Sequence, residues 1–356
     1  MEKDISKWHR TLDLIYFGER NQLTEIGLLA KNGGGQGSFY LGNSLAKTEF
    51  HAYMNYQYLE SRNNSEMYPN YELSNSVFQA SFAGTFAPLD FFSITANAAS
   101  RFSRQKQESG WFSDVSSLVD NTFKEKSRNL SSGRVSANFG SVNCAWSSSL
   151  AVGHYFREPS VFELFSTAFG ILSNPDLQAE QGEQAELGLG YKTKKARVSA
   201  TLFANRIRGR IFYHASGPFS KPANDNREGE VYGIESELFA ELFKWLKINA
   251  NATLQNPDNL PNEPKEQYYS SMLFILPYSF ELSLDGEAHS LIYRDRAQQK
   301  KIPEKAFYHA MLSYKPTDRT KISFLARNLT GGEYQHIYDA FPTPGRVFSV
   351  SYSHFF

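Results

Sequence analysis

Hydrophobic and polar residues alternate along most of the chain. Between Leu246 and Leu254 every second residue is apolar, and the residues between them are Lys, Asn, Asn and Thr. Successive side chains of a β-strand point to opposite faces, so a period of two predicts strands with one apolar and one polar face. Helical spacing is rare, and only residues 161–165 could form one short helical turn. The pattern therefore predicts an all-β fold.

The alternation predicts about seventeen strands, and the connections between them alternate in length. Tight turns at Pro88 and Ser141 are followed by long connections at 103–129 and 154–182. Successive connections of an up-and-down antiparallel sheet lie at opposite ends, so short turns are expected on one rim and long loops on the other. The predicted strands, defined to within a few residues, span 8–17, 22–31, 38–45, 48–60, 76–87, 89–102, 130–139, 142–153, 183–192, 195–212, 229–242, 245–256, 266–276, 279–293, 305–315, 319–330 and 345–356.

This asymmetry is typical of transmembrane β-barrels, which have short turns on one side of the membrane and long loops on the other. A strand of about ten residues rises about 33 Å, and at a tilt of about 45° it covers roughly 23 Å of membrane thickness. That height is close to the apolar band of about 25 Å on such barrels. The sequence thus predicts a transmembrane up-and-down antiparallel β-barrel whose apolar stripes face lipid.

A soluble β-rich protein, such as a propeller or solenoid, would also alternate. A propeller should repeat a blade of about 40 residues, and no such period is visible. Soluble sheets bury their apolar face in a shared core, whereas so many strands in meander order leave that face only lipid to contact. The membrane barrel is therefore the preferred interpretation.

Composition excludes other classes of protein. The chain has 356 residues, 15% aromatic residues and a mean hydropathy of −0.47, and its densest apolar run ends at Pro277, so no transmembrane helix is predicted. Lys and Arg total 37, as do Asp and Glu, so nucleic acid is not an expected partner. The first ten residues carry charges of both signs and do not resemble a signal peptide. Cys144 is the only cysteine and can form neither an intramolecular disulfide nor a multi-thiolate metal site.

Two segments resemble TonB-dependent outer-membrane receptors. The first runs from Phe156-Arg-Glu-Pro-Ser-Val-Phe-Glu-Leu-Phe through Asn174-Pro-Asp-Leu-Gln-Ala-Glu180 to Glu186-Leu-Gly-Leu-Gly-Tyr191, and is similar to the family's mid-barrel signature. The second, Ala326-Arg-Asn-Leu-Thr-Gly-Gly-Glu-Tyr334 followed by Pro344-Gly-Arg346 and a strand ending in Phe356, is similar to its closing two strands. Their order, their separation and the aromatic C-terminus agree with one another.

The resemblance implies an importer in the outer membrane of a Gram-negative-type bacterium. Members of the family have a 22-stranded barrel with an N-terminal plug. They take up scarce nutrients such as ferric siderophores, cobalamin or certain sugars, driven by an inner-membrane complex that acts through TonB. The expected partners are outer-membrane lipid, a small nutrient and, through a plug, the TonB complex. A passive or substrate-selective porin is the alternative function.

The chain departs from the family pattern because it shows no plug, no TonB-contacting segment and about five fewer N-terminal strands. Residues 1–356 are therefore expected to form one barrel domain with about 16–17 strands of the 22. The chain could be a fragment or split gene product, or a smaller barrel that closes by itself. The first explanation is favoured because seventeen strands would leave an unpaired edge or need an unusual closure.

Ligand contacts are expected from aromatic and charged residues of the long loops. Arg157, Pro159, Glu163, Asn174, Asp176 and Glu180 either help to shape a ligand vestibule or only fix loop geometry, because Asn-Pro-Asp is a strong turn signal in any protein. Glu235, Glu237, Lys247, Asn249 and Asn251 are expected to line an aqueous lumen. The candidate ligand contacts are Trp111, Phe112, Arg157, Phe169, Tyr213, His214, Tyr334, His336 and Tyr338.

No catalytic, metal or cofactor site is predicted. The eight histidines form neither a helical pair nor a cluster with carboxylates. His154, Ser160 and Glu163 could supply the groups of a hydrolase, but no nucleophile-elbow motif surrounds the serine. Residues 33–37 are glycine-rich but lack the Lys and Ser/Thr of a phosphate-binding loop, and are predicted to be a flexible connection between two strands.

Overall fold

The structure is a computed structural model in which sixteen strands form one antiparallel sheet and follow each other in chain order. The residues that it describes are 7–23, 28–45, 48–64, 70–111, 125–140, 145–165, 171–216, 219–258, 260–294, 299–331, 334–335, 342–343 and 345–354. Six further strands pair as three short hairpins outside the sheet, β10 with β11, β16 with β17 and β20 with β21. The all-β meander predicted from the sequence is confirmed.

The strands are β1 (Lys7–Leu23), β2 (Leu28–Leu45), β3 (Thr48–Asn64), β4 (Asn70–Leu89), β5 (Phe92–Trp111), β6 (Glu125–Phe139), β7 (Trp146–Arg157), β8 (Glu180–Lys192), β9 (Ala196–Arg208), β10 (Ile211–Ser216), β11 (Phe219–Asn224), β12 (Gly229–Phe243), β13 (Leu246–Asp258), β14 (Glu266–Leu276), β15 (Phe280–His289), β16 (Ile292–Tyr293), β17 (Lys301–Ile302), β18 (Lys305–Thr317), β19 (Thr320–Arg327), β20 (Tyr334–Gln335), β21 (Pro342–Thr343) and β22 (Val347–His354). One α-helix, α1 (Val161–Phe165), and one 3-10 turn, Pro277–Ser279, complete the described elements. No helix among the described residues is long and apolar enough to cross a membrane.

The glycine-rich segment 33–37 is not a connection, and this prediction was wrong. It lies inside β2, where Gly33 pairs with Gly18 of β1 and Gly35 pairs with Tyr58 of β3. Glycine breaks the apolar alternation because it has no side chain, but its backbone N–H and C=O groups still fill the hydrogen-bond ladder. The two strands predicted at 22–31 and 38–45 are therefore one, and the sheet has sixteen strands instead of seventeen.

The connections between sheet strands alternate between short and long, as predicted. Among the described residues short turns lie at 90–91, 193–195, 244–245, 277–279 and 318–319, and the chain between β2 and β3 and between β6 and β7 is also short. The alternate connections are longer in the second half of the sheet, and include 112–124, 158–179, 209–228, 290–304 and 328–346. Because consecutive connections of a meander lie at opposite strand ends, the long loops share one end of the strands.

The sheet has an apolar face whose large side chains are exposed. On β9 Leu202 is 52% exposed, and on β22 Val350 is 73% exposed. The neighbouring residues Thr201 and Ser351 are small and polar, and lie on the opposite, polar face. A soluble sheet would cover such leucine and valine side chains, whereas membrane barrels present them to lipid. The exposed stripes are those expected of a transmembrane sheet.

The chain divides into two compact units. Unit 1 comprises residues 1–138, 151–184 and 206–228, and its buried apolar cluster joins Leu73 of β4 to loop residues. Unit 2 comprises residues 139–150, 185–205 and 229–356, and its buried apolar residues include Ile292 and Ile302 of the β16–β17 hairpin. Each unit contains a group of polar residues that could form a functional site.

The motif Glu186-Leu-Gly-Leu-Gly-Tyr191 shows why this part of β8 alternates leucine with glycine. Leu187 and Leu189 lie on the apolar face and are 42% and 56% exposed. A Cβ atom on Gly188 or Gly190 would lie 2.6 Å from the hydroxyl oxygen of Ser149 or Ser147 on neighbouring β7. The polar face therefore has room for these serines only because the facing residues are glycine.

Candidate ligand-binding sites

In unit 1 two long loops fold together into a small subdomain. This loop subdomain consists of residues 158–165, 171–179 and 209–225, and its buried apolar side chains include Leu164, Phe165, Leu177 and Ile211. It is attached to the sheet by side chains of β5 and β6. Gln105 Nε2 donates to the carbonyl of Pro159 over 3.0 Å, and Arg128 Nη2 donates to the carbonyl of Leu177 over 2.7 Å.

Helix α1 begins with a capping box. The backbone N–H of Glu163 donates to Ser160 Oγ over 3.2 Å, and the backbone N–H of Ser160 donates to Glu163 Oε2 over 2.7 Å. This reciprocal pair satisfies two N–H groups that an uncapped helix start would leave free. The cap explains why so short a helix forms. The helix in turn directs Leu164 and Phe165 into the apolar cluster.

Replacing Ser160 by alanine is expected to destabilise α1 by about 1 kcal/mol, because the Glu163 N–H loses its acceptor. Amide hydrogen exchange of a peptide covering residues 158–165 should then become about fivefold faster. Ser271→Ala on the polar face of β14 is the control and should leave that peptide unchanged. Equal exchange in wild type and Ser160→Ala would show that the capping box does not hold the helix.

A buried charge cluster fixes the start of the loop subdomain to the sheet. Glu158, whose side chain is 6% exposed, accepts hydrogen bonds from Arg101 Nε over 3.1 Å and from Ser103 Oγ. Arg128 Nη1 lies 3.9 Å from the same carboxylate. Arg128 Nη1 also donates to Gln105 Oε1 over 2.8 Å. The sequence predicted a role for none of these residues, although Glu158 lies within the mid-barrel signature.

A second ion-pair cluster surrounds Arg157. Its Nη2 lies 2.9 Å from Glu180 Oε1, and its Nη1 lies 3.4 Å from Glu163 Oε2. Glu180 Oε1 also accepts the backbone N–H of Ile211 over 2.6 Å, so this cluster joins β7, β8 and the β10–β11 hairpin.

Two asparagine amides join the 171–179 segment to the β10–β11 hairpin. Asn174 Nδ2 donates to the carbonyl of Pro222 over 2.9 Å, while its Oδ1 accepts the N–H of Asp176 over 3.1 Å. Asn224 Oδ1 accepts the N–H of Gln178 over 2.7 Å. These contacts, with those of Arg157, Glu163 and Glu180, favour the interpretation that the mid-barrel signature fixes loop geometry.

Of the predicted ligand contacts, Arg157 belongs to this ion-pair cluster, and Tyr213 lies in β10 of the hairpin that the cluster joins to the sheet. Tyr213 is 49% exposed, and burial together with the negative charge of Glu163 raises its pKa, an effect that the charge of Arg157 partly opposes. Arg157 is thus paired with Glu163 and Glu180, while Tyr213 is affected by the charge of Glu163.

The other predicted contacts are distributed along the chain. His214 is in β10 with its ring centroid 6.0 Å from that of Phe212. Trp111 is the last residue of β5, and Tyr334 is the first residue of β20. Phe112, Phe169, His336 and Tyr338 lie outside the described residues.

In unit 2 the polar face of the sheet borders a cavity of about 870 Å³. The strand register places its side chains in rows, in which Asn251 pairs with Tyr269 and Tyr269 pairs with Glu287. A volume of this size is typical of small-molecule sites. The polar and aromatic lining residues are Asn251, Thr253, Asn262, Gln267, Tyr268, Tyr269, Glu287, His289, Phe307, His309, Arg327 and Asn328.

The closing motif forms one border of this cavity. Asn328 follows β19 with a left-handed φ of 52°, a conformation that asparagine tolerates better than most residues. Its backbone N–H donates to His309 Nδ1 over 3.0 Å, so a neutral His309 ring carries its proton on Nε2. That Nε2 lies 3.6 Å from Glu287 Oε1, which orients the carboxylate beside the cavity.

The sequence pointed to only part of this cavity. Asn251 belongs to the polar stripe that was expected to line an aqueous lumen, but Tyr269, Glu287 and His309 were not singled out. Each lies on the polar face of a different strand, β14, β15 or β18. The short turns fix the register of neighbouring strands, so pairing the strands across those turns could have aligned these residues with Asn251. Among the described residues no group of three or more His, Cys, Asp or Glu is arranged to hold a metal ion.

A meander of long antiparallel strands with an exposed apolar face defines a transmembrane β-barrel class of protein. Residues 7–329 match the family described as TonB dependent receptor-like, beta-barrel, and the chain belongs to this family. The family consists of receptors and transporters and not of enzymes.

Solved structures of similar fold agree with this assignment. The copper transporter OprC is 14% identical with a TM-score of 0.79, over 92% of this chain and 57% of its own. The siderophore receptor PiuA from Acinetobacter baumannii is 11% identical with a TM-score of 0.74, over 99% of this chain and 62% of its own. The ferric yersiniabactin uptake receptor FyuA from Yersinia pestis is 15% identical with a TM-score of 0.67, over 99% of this chain and 59% of its own.

The chain spans less than two thirds of the length of these structures. At such low identity the likeness shows a shared fold. A search of curated proteins found no match.

Proposed function

We propose that this chain forms the barrel of a receptor that imports a scarce small nutrient across the outer membrane of a Gram-negative-type bacterium. Membership of the TonB-dependent family over residues 7–329 supports a receptor. The fold is shared with proteins named as copper, siderophore and ferric yersiniabactin transporters or receptors. Ferric siderophores, cobalamin and similar nutrients are therefore the first ligands to test.

The observation that carries this proposal is the two-sided sheet. Large apolar side chains such as Leu202 and Val350 are exposed on one face, while the other face borders a cavity lined by amides, aromatic rings and imidazoles. An apolar exterior suits a lipid bilayer, and a polar cavity suits binding of a small ligand inside a barrel. This combination supports a receptor more strongly than it supports an enzyme.

In this proposal residues 1–356 form one barrel domain in contact with outer-membrane lipid. The TonB complex would act through a plug domain, as the family resemblance implies. The loop residues Trp111, Phe112, Arg157, Phe169, Tyr213, His214, Tyr334, His336 and Tyr338 remain proposed ligand contacts. No resident cofactor is required for binding or transport.

Uptake measured in cells tests this function. Cells with the gene intact, with the gene deleted and with TonB deleted are compared for uptake of labelled ferric siderophores, cobalamin and neutral oligosaccharides. We expect saturable uptake of one probe that both deletions abolish, because transport needs the receptor and its energy source. Uptake that needs the gene but not TonB would indicate a porin, and uptake unaffected by the gene deletion would contradict the proposal.

A further inference from the structure

We propose that the unit 2 cavity binds an uncharged, hydroxyl-rich ligand of the saccharide class. This inference rests on the proposed receptor function and names the ligand that the cavity would take. It is carried by three features of the lining: free hydrogen-bonding groups, aromatic rings beside them, and balanced charge.

The hydrogen-bonding groups on the cavity wall are neutral and adjacent. Thr253 pairs with Gln267 in the sheet register, and Asn251 is two residues from Thr253 on the same face. None of these three side chains makes a hydrogen bond to another residue within the described part of the chain. Amides and hydroxyls both donate and accept, which matches sugar hydroxyls that also do both.

A loop asparagine supplies a further acceptor. Asn262 lines the same cavity, and its side-chain Oδ1 is buried without a hydrogen-bond partner among the described residues. Its backbone has a left-handed φ of 69° and is held by a 2.7 Å hydrogen bond from its N–H to the carbonyl of Tyr293. A buried acceptor without a partner costs stability unless a water molecule or a ligand hydroxyl donates to it.

Aromatic rings stand next to these polar groups. Tyr269 and Phe307 are the two register partners of Glu287, one on each side of it. The Tyr269 hydroxyl donates to Asp285 Oδ1 over 3.3 Å, which positions the ring on the wall. A ring face beside hydrogen-bonding groups suits the apolar face and the hydroxyl edge of a pyranose.

The charges of the lining cancel. Glu287 and Arg327 are its only Asp, Glu, Lys or Arg side chains among the described residues, and the Glu287 carboxylate lies beside His309. A polyanionic chelate such as a ferric tricatecholate would need several arginine or lysine side chains in place of this balance. The cavity therefore favours a neutral ligand held by many hydrogen bonds.

Calorimetry on the purified full chain in detergent tests the ligand class. The probes are maltoheptaose, cellohexaose, xylohexaose and chitopentaose, with ferrichrome as a neutral chelate and ferric enterobactin as an anionic one. We expect one oligosaccharide to bind. Tyr269→Ala should weaken that binding by about tenfold or more, since buried tyrosine contacts often dominate affinity. Gln267→Ala should weaken it less.

Tyr232→Ala is the matched control, because Tyr232 is a tyrosine of the same unit on the apolar face and is 52% exposed. It should leave the affinity unchanged. Binding of either iron chelate in place of the sugars, with loss in Tyr269→Ala, would overturn the saccharide assignment while leaving the receptor function standing. Binding of no probe, or an equal loss in Tyr232→Ala, would also overturn it, and the cellular uptake assay would decide the receptor function separately.

Discussion

Replacing Glu158 by glutamine is expected to lower the free energy of unfolding by about 3–5 kcal/mol, the cost of breaking a buried ion pair from one side. The carboxylate is 6% exposed and lies against two guanidinium groups, of which Arg128 is 7% exposed. Glutamine keeps the volume but removes the negative charge, so Arg128 would remain as a buried cation without a counter-ion. The loop subdomain would lose the contact that fixes its first residue to β5.

Glu125→Gln is the matched control. Glu125 also pairs with an arginine, through contacts of 2.6 and 2.9 Å to Arg104, but its side chain is 41% exposed. Solvent screens an exposed pair, so this change should cost far less than Glu158→Gln. Urea unfolding in detergent micelles, followed by tryptophan fluorescence, measures both variants. Equal losses would contradict the assignment of Glu158 as a buried anchor.

Leu202→Arg is expected to destabilise the membrane-inserted barrel by about 2–4 kcal/mol, the cost of an arginine on the lipid face near the bilayer centre. Leu202 is 52% exposed on the apolar face of β9. An arginine there would have to enter hydrocarbon or distort the bilayer to reach water. The effect should therefore appear in lipid vesicles and be smaller in detergent.

Thr201→Arg is the control on the same strand. Thr201 lies on the polar face, where an arginine would remain in water, and its cost should be close to zero. Urea unfolding in vesicles measures both variants. A larger loss from Thr201→Arg than from Leu202→Arg would mean that the faces of the sheet are assigned the wrong way round.

Most of the fold could be predicted from the sequence because a strand with one apolar and one polar environment on its two faces alternates apolar and polar residues. The predicted strand 245–256, based on the stripe from Leu246 to Leu254, agrees with β13 to within two residues at each end. The error at residues 33–37 has a simple physical cause. Glycine has no preference for the apolar or the polar face, so the hydrogen-bond ladder of β2 continues where the alternation of apolar and polar residues stops.

The functional sites were only partly predictable. Arg157, Glu163 and Glu180 were found because they lie within one signature, and the structure joins them through ion pairs. Glu158 lies within the same signature, but nothing in the signature indicates its partners Arg101 and Arg128, which lie on β5 and β6. Their pairing depends on a loop folding back over β5 and β6, which local patterns do not encode.

The most direct test of the account is a spin-label scan along β13. Single cysteines are placed at each position from 246 to 254 with Cys144 replaced by serine, and the labelled protein is inserted into lipid vesicles. We predict that labels at 246, 248, 250, 252 and 254 collide mainly with oxygen dissolved in the bilayer, and those at 247, 249, 251 and 253 with a water-soluble nickel reagent. The same accessibility at every position, or the reversed alternation, would contradict a sheet that separates lipid from an aqueous interior.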